Sequence, residues 1–268
     1  MLPEGTFDGR VAIVTGGGSG LGRAMALELA RLGSVVVVAG RREEPLAETA
    51  SLIEERGGQA HQKPTDVREP DAVDALVAAA VERFGRVDVL VNNAAGNFVV
   101  KAEELSPNGW RAVVAIVLDG TFLCSRAAGR RMIEQGEGGA ILSVIASYAW
   151  TGGPGTIHSA AAKAGVLALT RTLAVEWAEH GIRVNCICPG PTDTEGAGQA
   201  LWPTQEDRAR VASTVPLGRL ASPEEVAVWA AALCSPYAGY ITGENLTIDG
   251  GHWLEQESYL PALDKNRD

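Results

Sequence analysis

Cysteine, histidine and lysine are scarce in this chain of 268 residues. The four cysteines and four histidines do not have the spacing of a zinc site, so no metal centre is predicted. Cys186 and Cys188 stand too close together in an apolar stretch to form a good disulfide. We therefore expect this pair to be small buried hydrophobic residues.

Basic residues are outnumbered, and long apolar runs are absent. The chain carries 23 Lys and Arg against 33 Asp and Glu, a formal net charge of −10. This balance disfavours nucleic acid and anionic membrane surfaces as partners, although a local basic pocket is compatible with it. No uncharged apolar run has the length of a spanning helix, and the first residues do not resemble a secretory signal, so we expect a cytoplasmic protein.

Apolar β-branched runs alternate with longer amphipathic stretches. Buried strands are predicted at residues 11–15, 35–39, 87–92, 140–144 and 184–187, with a last one near 246–248. Helices are predicted at residues 22–32, 43–56, 71–84, 109–135 and 160–179, and Pro70, Pro107 and Pro223 favour helix starts. The alternation predicts an α/β fold: a doubly wound, Rossmann-like parallel sheet in a single domain over residues 1–268, with a core at 8–253 and a tail at 254–268.

A glycine-rich segment follows the first predicted strand and precedes a helix. Glycines allow the backbone to approach a pyrophosphate, and the helix N-terminus supplies free N–H groups and a partial positive charge. We expect a dinucleotide to bind here; a flexible turn without a ligand is the alternative. The expected contacts are Thr15, Gly16, Gly18, Ser19, Gly20, Leu21 and Gly22.

The end of the second strand predicts which dinucleotide binds. An NAD site places an acidic residue there for the ribose 2′-hydroxyl, but this chain has Gly40 followed by Arg41 and Arg42. Arg41 could bind a 2′-phosphate through its planar guanidinium, which predicts NADPH over NADH; a solvated arginine at a helix start is the alternative. After the third strand, Asp66, next to Val67, could accept from the adenine amino group or cap the next helix.

Several motifs together resemble the short-chain dehydrogenase/reductase family. They are Thr15-Gly-x-x-x-Gly-x-Gly22, the Asn-Asn-Ala-Ala-Gly segment at 92–96, and Pro189-Gly-Pro-x-x-Thr194. The resemblance covers residues 8–253. It implies that Asn93 and Ala94 support the sheet and the cofactor, and that Pro189, Gly190 and Thr192 lie at the nicotinamide.

The catalytic segment departs from the majority pattern of that family. Most members have Tyr-x-x-x-Lys on one helix, whereas here Ser159 stands four residues before Lys163. A variant arrangement resembles the 2,4-dienoyl-CoA reductases, and more closely their bacterial and mitochondrial branch, in which the Tyr comes from a loop. Tyr148, Ser159 and Lys163 match that arrangement, while Asp119 stands at the position assigned to an Asn before Gly-Thr.

The resemblance implies an NADPH-dependent reduction of a dienoyl thioester. Hydride addition at the far end of the diene gives a dienolate whose charge collects on the thioester oxygen, so the site needs donors aimed at that oxygen. Tyr148 is the candidate donor, Lys163 would bind the nicotinamide ribose, and Ser159 would position substrate or cofactor. Water could protonate the α carbon.

Asp119 does not fit this chemistry as an ionised group, because a carboxylate cannot donate to an oxyanion. Burial in an apolar site would favour its protonated form, which can donate. Alternatively, Asp119 points away and holds Tyr148 or a water, or the substrate differs from that of the family. These three possibilities stay open at the level of sequence.

The resemblance also implies an acyl-CoA partner, a pocket mouth and a homotetramer. The candidate substrate contacts are Phe98, Trp150, Leu201 and Trp202, the last two on a Gly/Ala-rich stretch that could instead be a surface loop. The tetramer would pack through the helices at 109–135 and 160–179. Two other functions are open: a short-chain reductase of a ketone or 3-oxoacyl thioester, and a non-catalytic NADP-binding protein.

Overall fold

The computed structural model describes residues 2–194 and 204–254. Within them, seven strands form one parallel sheet in the order β3-β2-β1-β4-β5-β6-β7. The strands are β1 (Val11–Thr15), β2 (Val35–Gly40), β3 (Gln59–Pro64), β4 (Val89–Asn92), β5 (Gly139–Val144), β6 (Ile182–Pro189) and β7 (Asn245–Ile248). The predicted doubly wound, Rossmann-like sheet in a single domain is confirmed.

Helices connect the strands and cover both faces of the sheet. They are α1 (Gly20–Arg31), α2 (Glu43–Glu55), α3 (Pro70–Phe84), α4 (Pro107–Val114), α5 (Gly120–Gln135), α6 (Tyr148–Thr151), α7 (Ile157–Glu176), α8 (Gln205–Ser213) and α9 (Pro223–Cys234). The predicted starts at Pro70, Pro107 and Pro223 are confirmed. Ser106 and Ser222 precede two of these prolines and accept the N–H groups of Gly109 and Glu225 as N-caps.

The core lies in two layers because alternate strand residues point to opposite faces. Ala12 and Val14 of β1 pack with α1, α2 and α9, whereas Val11 and Ile13 pack with α3, α5 and α7. Strands covered on both sides need apolar residues at every position, which is why continuous apolar runs predicted them. Cys186 and Cys188 are fully buried and all four cysteines are free, so the expected hydrophobic role is confirmed.

A π-helical turn, Ala115–Asp119, joins α4 to α5. The predicted single helix at 109–135 is therefore a continuous helical segment, Pro107–Gln135, with a wider turn inside it. By length and composition alone this segment could span a membrane, but its most apolar window is half buried within the fold. Core helices with such burial pass the same length and composition test, so this is weak evidence for a membrane span.

Two strands differ from the sequence expectation for local reasons. β4 begins at Val89, two residues later than predicted. The Val87 N–H donates to the Gln135 side chain instead of a neighbouring strand, whereas the Asp88 backbone already bonds to Val11 and Ala140. β3, for which the sequence predicted no bounds, is an edge strand with the polar sequence Gln-Ala-His-Gln-Lys-Pro. An edge strand buries less side-chain surface, so β3 has no continuous apolar run.

Candidate active site

The glycine-rich turn lies where the strand order reverses, between β1 and β4, at the carboxyl ends of the strands. A Cβ atom at Gly22 would overlap the carbonyl oxygen of Gly16. Gly16 and Gly20 have φ of +65° and +52°, a conformation that other residues rarely adopt. Both features require glycine in the turn that a ligand would approach. Ser19 precedes α1 without capping it through its side chain. The first-turn N–H groups of α1 are thus available to an anion.

Thr15 and Asn93 hold this turn in place through hydrogen bonds. The Thr15 hydroxyl accepts the N–H groups of Asn93 and Ala94 at 3.0 and 3.1 Å. The Asn93 side-chain amide donates to the carbonyl oxygens of Thr15 and Gly16, each at 3.2 Å. These bonds fasten the ends of β1 and β4 together, as expected for the support of a cofactor-binding turn.

A pocket of about 190 Å³ opens beside the turn. It brings together seven of the residues expected to bind the cofactor: Gly16, Gly18, Ser19, Arg41, Asp66, Val67 and Ala94. Sequence reasoning did not single out Pro45, Leu46 and Ile116, which complete its wall. The glycine turn and this pocket fit a dinucleotide, with its pyrophosphate at the start of α1.

Of the charged side chains that line this pocket, Asp66 is paired with another side chain, whereas Arg41 is not. Arg68 donates to both Asp66 carboxylate oxygens, at 2.9 and 3.1 Å, and lowers the pKa of Asp66. The Asp66 side chain also accepts the backbone N–H of Arg68 at 3.1 Å. This bond lies in the loop before α3, so Asp66 does not cap that helix. Arg41 is exposed and has no ion pair or hydrogen bond to any residue that the structure describes, so its guanidinium is free for an anion.

Tyr148, Ser159 and Lys163 converge at the carboxyl end of β5. Tyr148 opens the short turn α6, while Ser159 and Lys163 lie one helical turn apart on the buried face of α7. The Tyr148 hydroxyl and Ser159 Oγ are 3.0 Å apart. Lys163 Nζ donates to the carbonyl oxygen of Val144, the last residue of β5. The structure therefore brings together three of the four predicted catalytic residues.

Burial sets the protonation of these groups. Desolvation raises the pKa of Tyr148, and the hydrogen bond with Ser159 acts in the opposite direction. The phenol therefore stays protonated at neutral pH and can donate. Desolvation lowers the pKa of Lys163 to about 8, because a buried ammonium lacks the stabilisation of water. Lys163 is thus still mostly a cation at neutral pH, close to the point of losing its charge.

Asp119 does not join this group. It is the last residue of the π turn and its side chain is exposed, without a hydrogen bond or ion pair to the described part of the chain. Successive helical side chains point in different directions, and the apolar Val117 and Leu118 take the side that packs on α7. The apolar burial considered for Asp119 is therefore absent, and its side chain makes no hydrogen bond to Tyr148.

The segment after β4 reaches the start of α7 and contains residues that sequence reasoning passed over. Phe98, an expected substrate contact, packs edge-on against His158, with 4.4 Å between ring centroids. His158 is completely buried and neither of its ring nitrogens has a hydrogen-bond partner among the described residues. Asn97 accepts the Phe98 N–H through Oδ1 at 2.9 Å, which leaves its amide nitrogen able to donate. The only signal for Asn97 in the sequence is its place in the motif before Phe98.

The remaining residues expected at the nicotinamide lie at the end of β6 and in the turn after it, and those expected at the substrate lie elsewhere. Pro189 ends β6, and Gly190 packs so closely against Asp249 that a side chain there would clash. Thr192 donates to the Gly190 carbonyl at 2.9 Å and closes the turn. Trp150 lies two residues after Tyr148 and contacts Trp253, a residue that the sequence analysis did not single out. Leu201 and Trp202 lie outside the described residues.

Comparisons with known proteins agree with this geometry. A family model described as enoyl-(acyl carrier protein) reductase matches residues 16–252. A Bacillus subtilis protein named probable 2,4-dienoyl-CoA reductase is 52% identical over 246 residues, 91% of this chain and 97% of that protein. An Arabidopsis thaliana protein named peroxisomal 2,4-dienoyl-CoA reductase is 36% identical over 94% of this chain and 87% of its own length.

Solved structures show the same fold. A short-chain dehydrogenase from Bacillus anthracis superimposes with a TM-score of 0.85 at 49% identity, over 93% of this chain and 99% of its own. A putative short-chain alcohol dehydrogenase from Sinorhizobium meliloti gives a TM-score of 0.89 at 37% identity, over 95% of this chain and 100% of its own. The chain belongs to the short-chain dehydrogenase/reductase family of nicotinamide-dependent oxidoreductases, and within it is similar to proteins named as 2,4-dienoyl-CoA reductases.

Proposed function

We propose that the protein is an NADPH-dependent reductase of 2,4-dienoyl-CoA thioesters. The observation that carries the proposal is the 3.0 Å contact between the Tyr148 hydroxyl and Ser159 Oγ, one helical turn from Lys163. The serine occupies the position where most of the family has its proton-donating tyrosine, and the phenol enters from a separate turn. A site that reduces a ketone does not need that displacement.

The chain's own residues stabilise charge and fix the geometry. A nicotinamide held by the glycine turn would supply hydride chemistry, and addition at the far end of the diene would leave negative charge on the thioester oxygen. Tyr148 donates its O–H to this oxygen, and Ser159 donates to the Tyr148 oxygen, so that the phenol proton points at the substrate. The Lys163 cation favours negative charge nearby and would bind the nicotinamide ribose. Water delivers the proton to the α carbon.

The second donor to the thioester oxygen is proposed to be Asn97 rather than Asp119. Asp119 is exposed, and as a carboxylate it would oppose charge on the thioester oxygen. Asn97 is half-buried and neutral. Its neighbour Phe98 packs against His158, the residue before Ser159. Its amide nitrogen, unlike a carboxylate, can donate a hydrogen bond.

The preference for NADPH is proposed from the free cation at the end of β2. Arg41 lines the pocket, and no acidic residue stands at that strand end to bind a ribose 2′-hydroxyl. Asp66, the acidic group on the pocket wall, is neutralised by Arg68. A 2′-phosphate would therefore meet a net positive charge.

A homotetramer is proposed from apolar surface on the long helices. Trp110, Phe122 and Val175 belong to α4, α5 and α7, and their side chains are 38%, 47% and 80% exposed. Large apolar side chains exposed on neighbouring helices are typical of a contact surface. Light scattering coupled to size-exclusion chromatography measures the mass directly.

The test of the proposed activity compares substrates. Purified protein is mixed with NADPH and a 2,4-dienoyl-CoA, and loss of the diene absorbance is followed beside parallel reactions with a 3-oxoacyl-CoA. We expect turnover of the dienoyl thioester, roughly 10²–10³-fold slower in Tyr148→Phe. Turnover of the 3-oxoacyl thioester alone would identify a carbonyl reductase, and tight NADPH binding without turnover of any thioester would identify a non-catalytic protein.

A further inference from the structure

The turn that carries Tyr148 is short and only partly buried. Helix α6 is four residues long; Tyr148 and Ala149 are half-buried, with Ala149 against the apolar cluster on α7, whereas Trp150 and Thr151 are exposed. Its backbone hydrogen bonds are local, from Trp150 and Thr151 to Ser147 and from Gly152 to Tyr148, and it ends at Gly152 with φ of +74°. A single turn of this kind is marginal by itself, so contacts from elsewhere must fix the phenol.

One such contact comes from Trp253, about a hundred residues further along the chain. The indole of Trp150 meets that of Trp253 edge-to-face, with ring centroids 5.7 Å apart and an interplanar angle of 89°. This is a preferred geometry for an aromatic pair. Trp150 is 36% exposed, and the rest of its surface is covered in part by Trp253. The pair joins the Tyr148 turn to the 3₁₀ turn His252–Leu254.

Trp253 is itself held firmly. The two carboxylate oxygens of Asp249 accept the N–H groups of Gly251 at 2.9 Å and Trp253 at 2.7 Å. Asp249 is 8% exposed and packs against Gly190, in the turn expected at the nicotinamide. Contacts from Gly190 through Asp249 and Trp253 to Trp150 thus connect the turn expected at the nicotinamide with the turn that carries Tyr148.

We propose that Trp253 is a positioning residue: through Trp150 it holds the Tyr148 turn in place for the reaction. The inference rests on the proposed function, because Tyr148 is taken as the donor to the thioester oxygen. A donor that acts mainly in the transition state affects kcat, whereas a wall of the substrate pocket affects KM. The two roles for Trp253 are therefore separable by kinetics.

The test uses the full-length protein with NADPH and a 2,4-dienoyl-CoA. Trp253→Ala is expected to lower kcat about ten- to a hundredfold, the scale of a displaced catalytic group, with KM for both substrates within about twofold. Trp253→Phe keeps an aromatic edge and should retain most of the rate. Trp150→Ala should lower kcat to the same extent as Trp253→Ala, and kcat of the double variant should be no lower than that of either single variant. Trp229→Ala, on the exposed side of α9, is the control and should match the wild type.

A spectroscopic readout separates this proposal from the function on which it rests. Two indoles in edge-to-face contact give an exciton couplet in far-ultraviolet circular dichroism; it should disappear in Trp150→Ala and Trp253→Ala and persist in Trp229→Ala. Wild-type protein with the couplet but without dienoyl-CoA turnover would refute the proposed function alone. The positioning role is overturned if the couplet is absent from the wild type, if Trp253→Ala keeps its kcat, or if only KM rises.

Discussion

Removing the Arg41 guanidinium should change cofactor preference more than it changes overall cofactor binding. Arg41 lines the pocket beside the glycine turn and makes no hydrogen bond or ion pair to the described residues, so a 2′-phosphate would meet a guanidinium whose donors are unused. A hydrogen bond to a charged group contributes roughly 1.5–3 kcal/mol. Because Arg41 is exposed, screening favours the low end of that range. We therefore expect Arg41→Ala to weaken NADPH binding about tenfold, since about 1.4 kcal/mol corresponds to a factor of ten.

Fluorescence titration with NADPH and NADH at fixed ionic strength measures this effect. NADH lacks the 2′-phosphate, so its dissociation constant should stay within about twofold. Arg42→Ala is the matched control, because Arg42 lines the same pocket one residue further along the chain. An unchanged ratio of NADPH to NADH affinity in Arg41→Ala would refute the assignment, and a loss confined to Arg42→Ala would move it to the neighbouring residue.

Four further outcomes follow from the same geometry. Tyr148→Phe should lower kcat by roughly 10²–10³, the effect of losing one oxyanion donor; a rate within threefold of the wild type, at about the same KM, would contradict the donor role. Because the Lys163 cation is lost as pH rises through its pKa of about 8, kcat/KM should fall above that pH, and a flat or rising profile would exclude a need for the cation. Asp119→Asn should keep dienoyl-CoA reductase activity within about twofold, because the side chain is exposed, so a complete loss would be contrary evidence. Gly22→Ala should abolish cofactor binding in a titration, because its Cβ would overlap the Gly16 carbonyl; normal affinity would show that the turn is more adaptable than its geometry indicates.

The sheet and the cofactor turn are readable from sequence because each depends on short-range patterns. A strand buried on both faces requires an unbroken apolar run, as in β1 and β2. A turn that excludes side chains requires glycine, as at Gly22. β3 lacks such a signal, since the edge position permits polar residues.

The residues of the site can be predicted from sequence only where they share a secondary-structure element or a family motif. Ser159 and Lys163 are one helical turn apart, so their convergence follows from helix geometry. The direction of Asp119 depends on a π turn and on the packing of Val117 and Leu118 against α7, which no local pattern reveals. The Trp150–Trp253 contact joins residues about a hundred positions apart in sequence, and only the folded chain brings them together.

The most direct test of the central claim follows the hydride in the wild-type protein. NADPH deuterated at the transferred position is incubated with a 2,4-dienoyl-CoA, and the product is analysed by mass spectrometry and NMR. If Tyr148 stabilises a dienolate, one deuterium should appear on the carbon at the far end of the former diene, with the thioester intact. Deuterium on the carbonyl carbon, or on the carbon β to the thioester, would contradict the account.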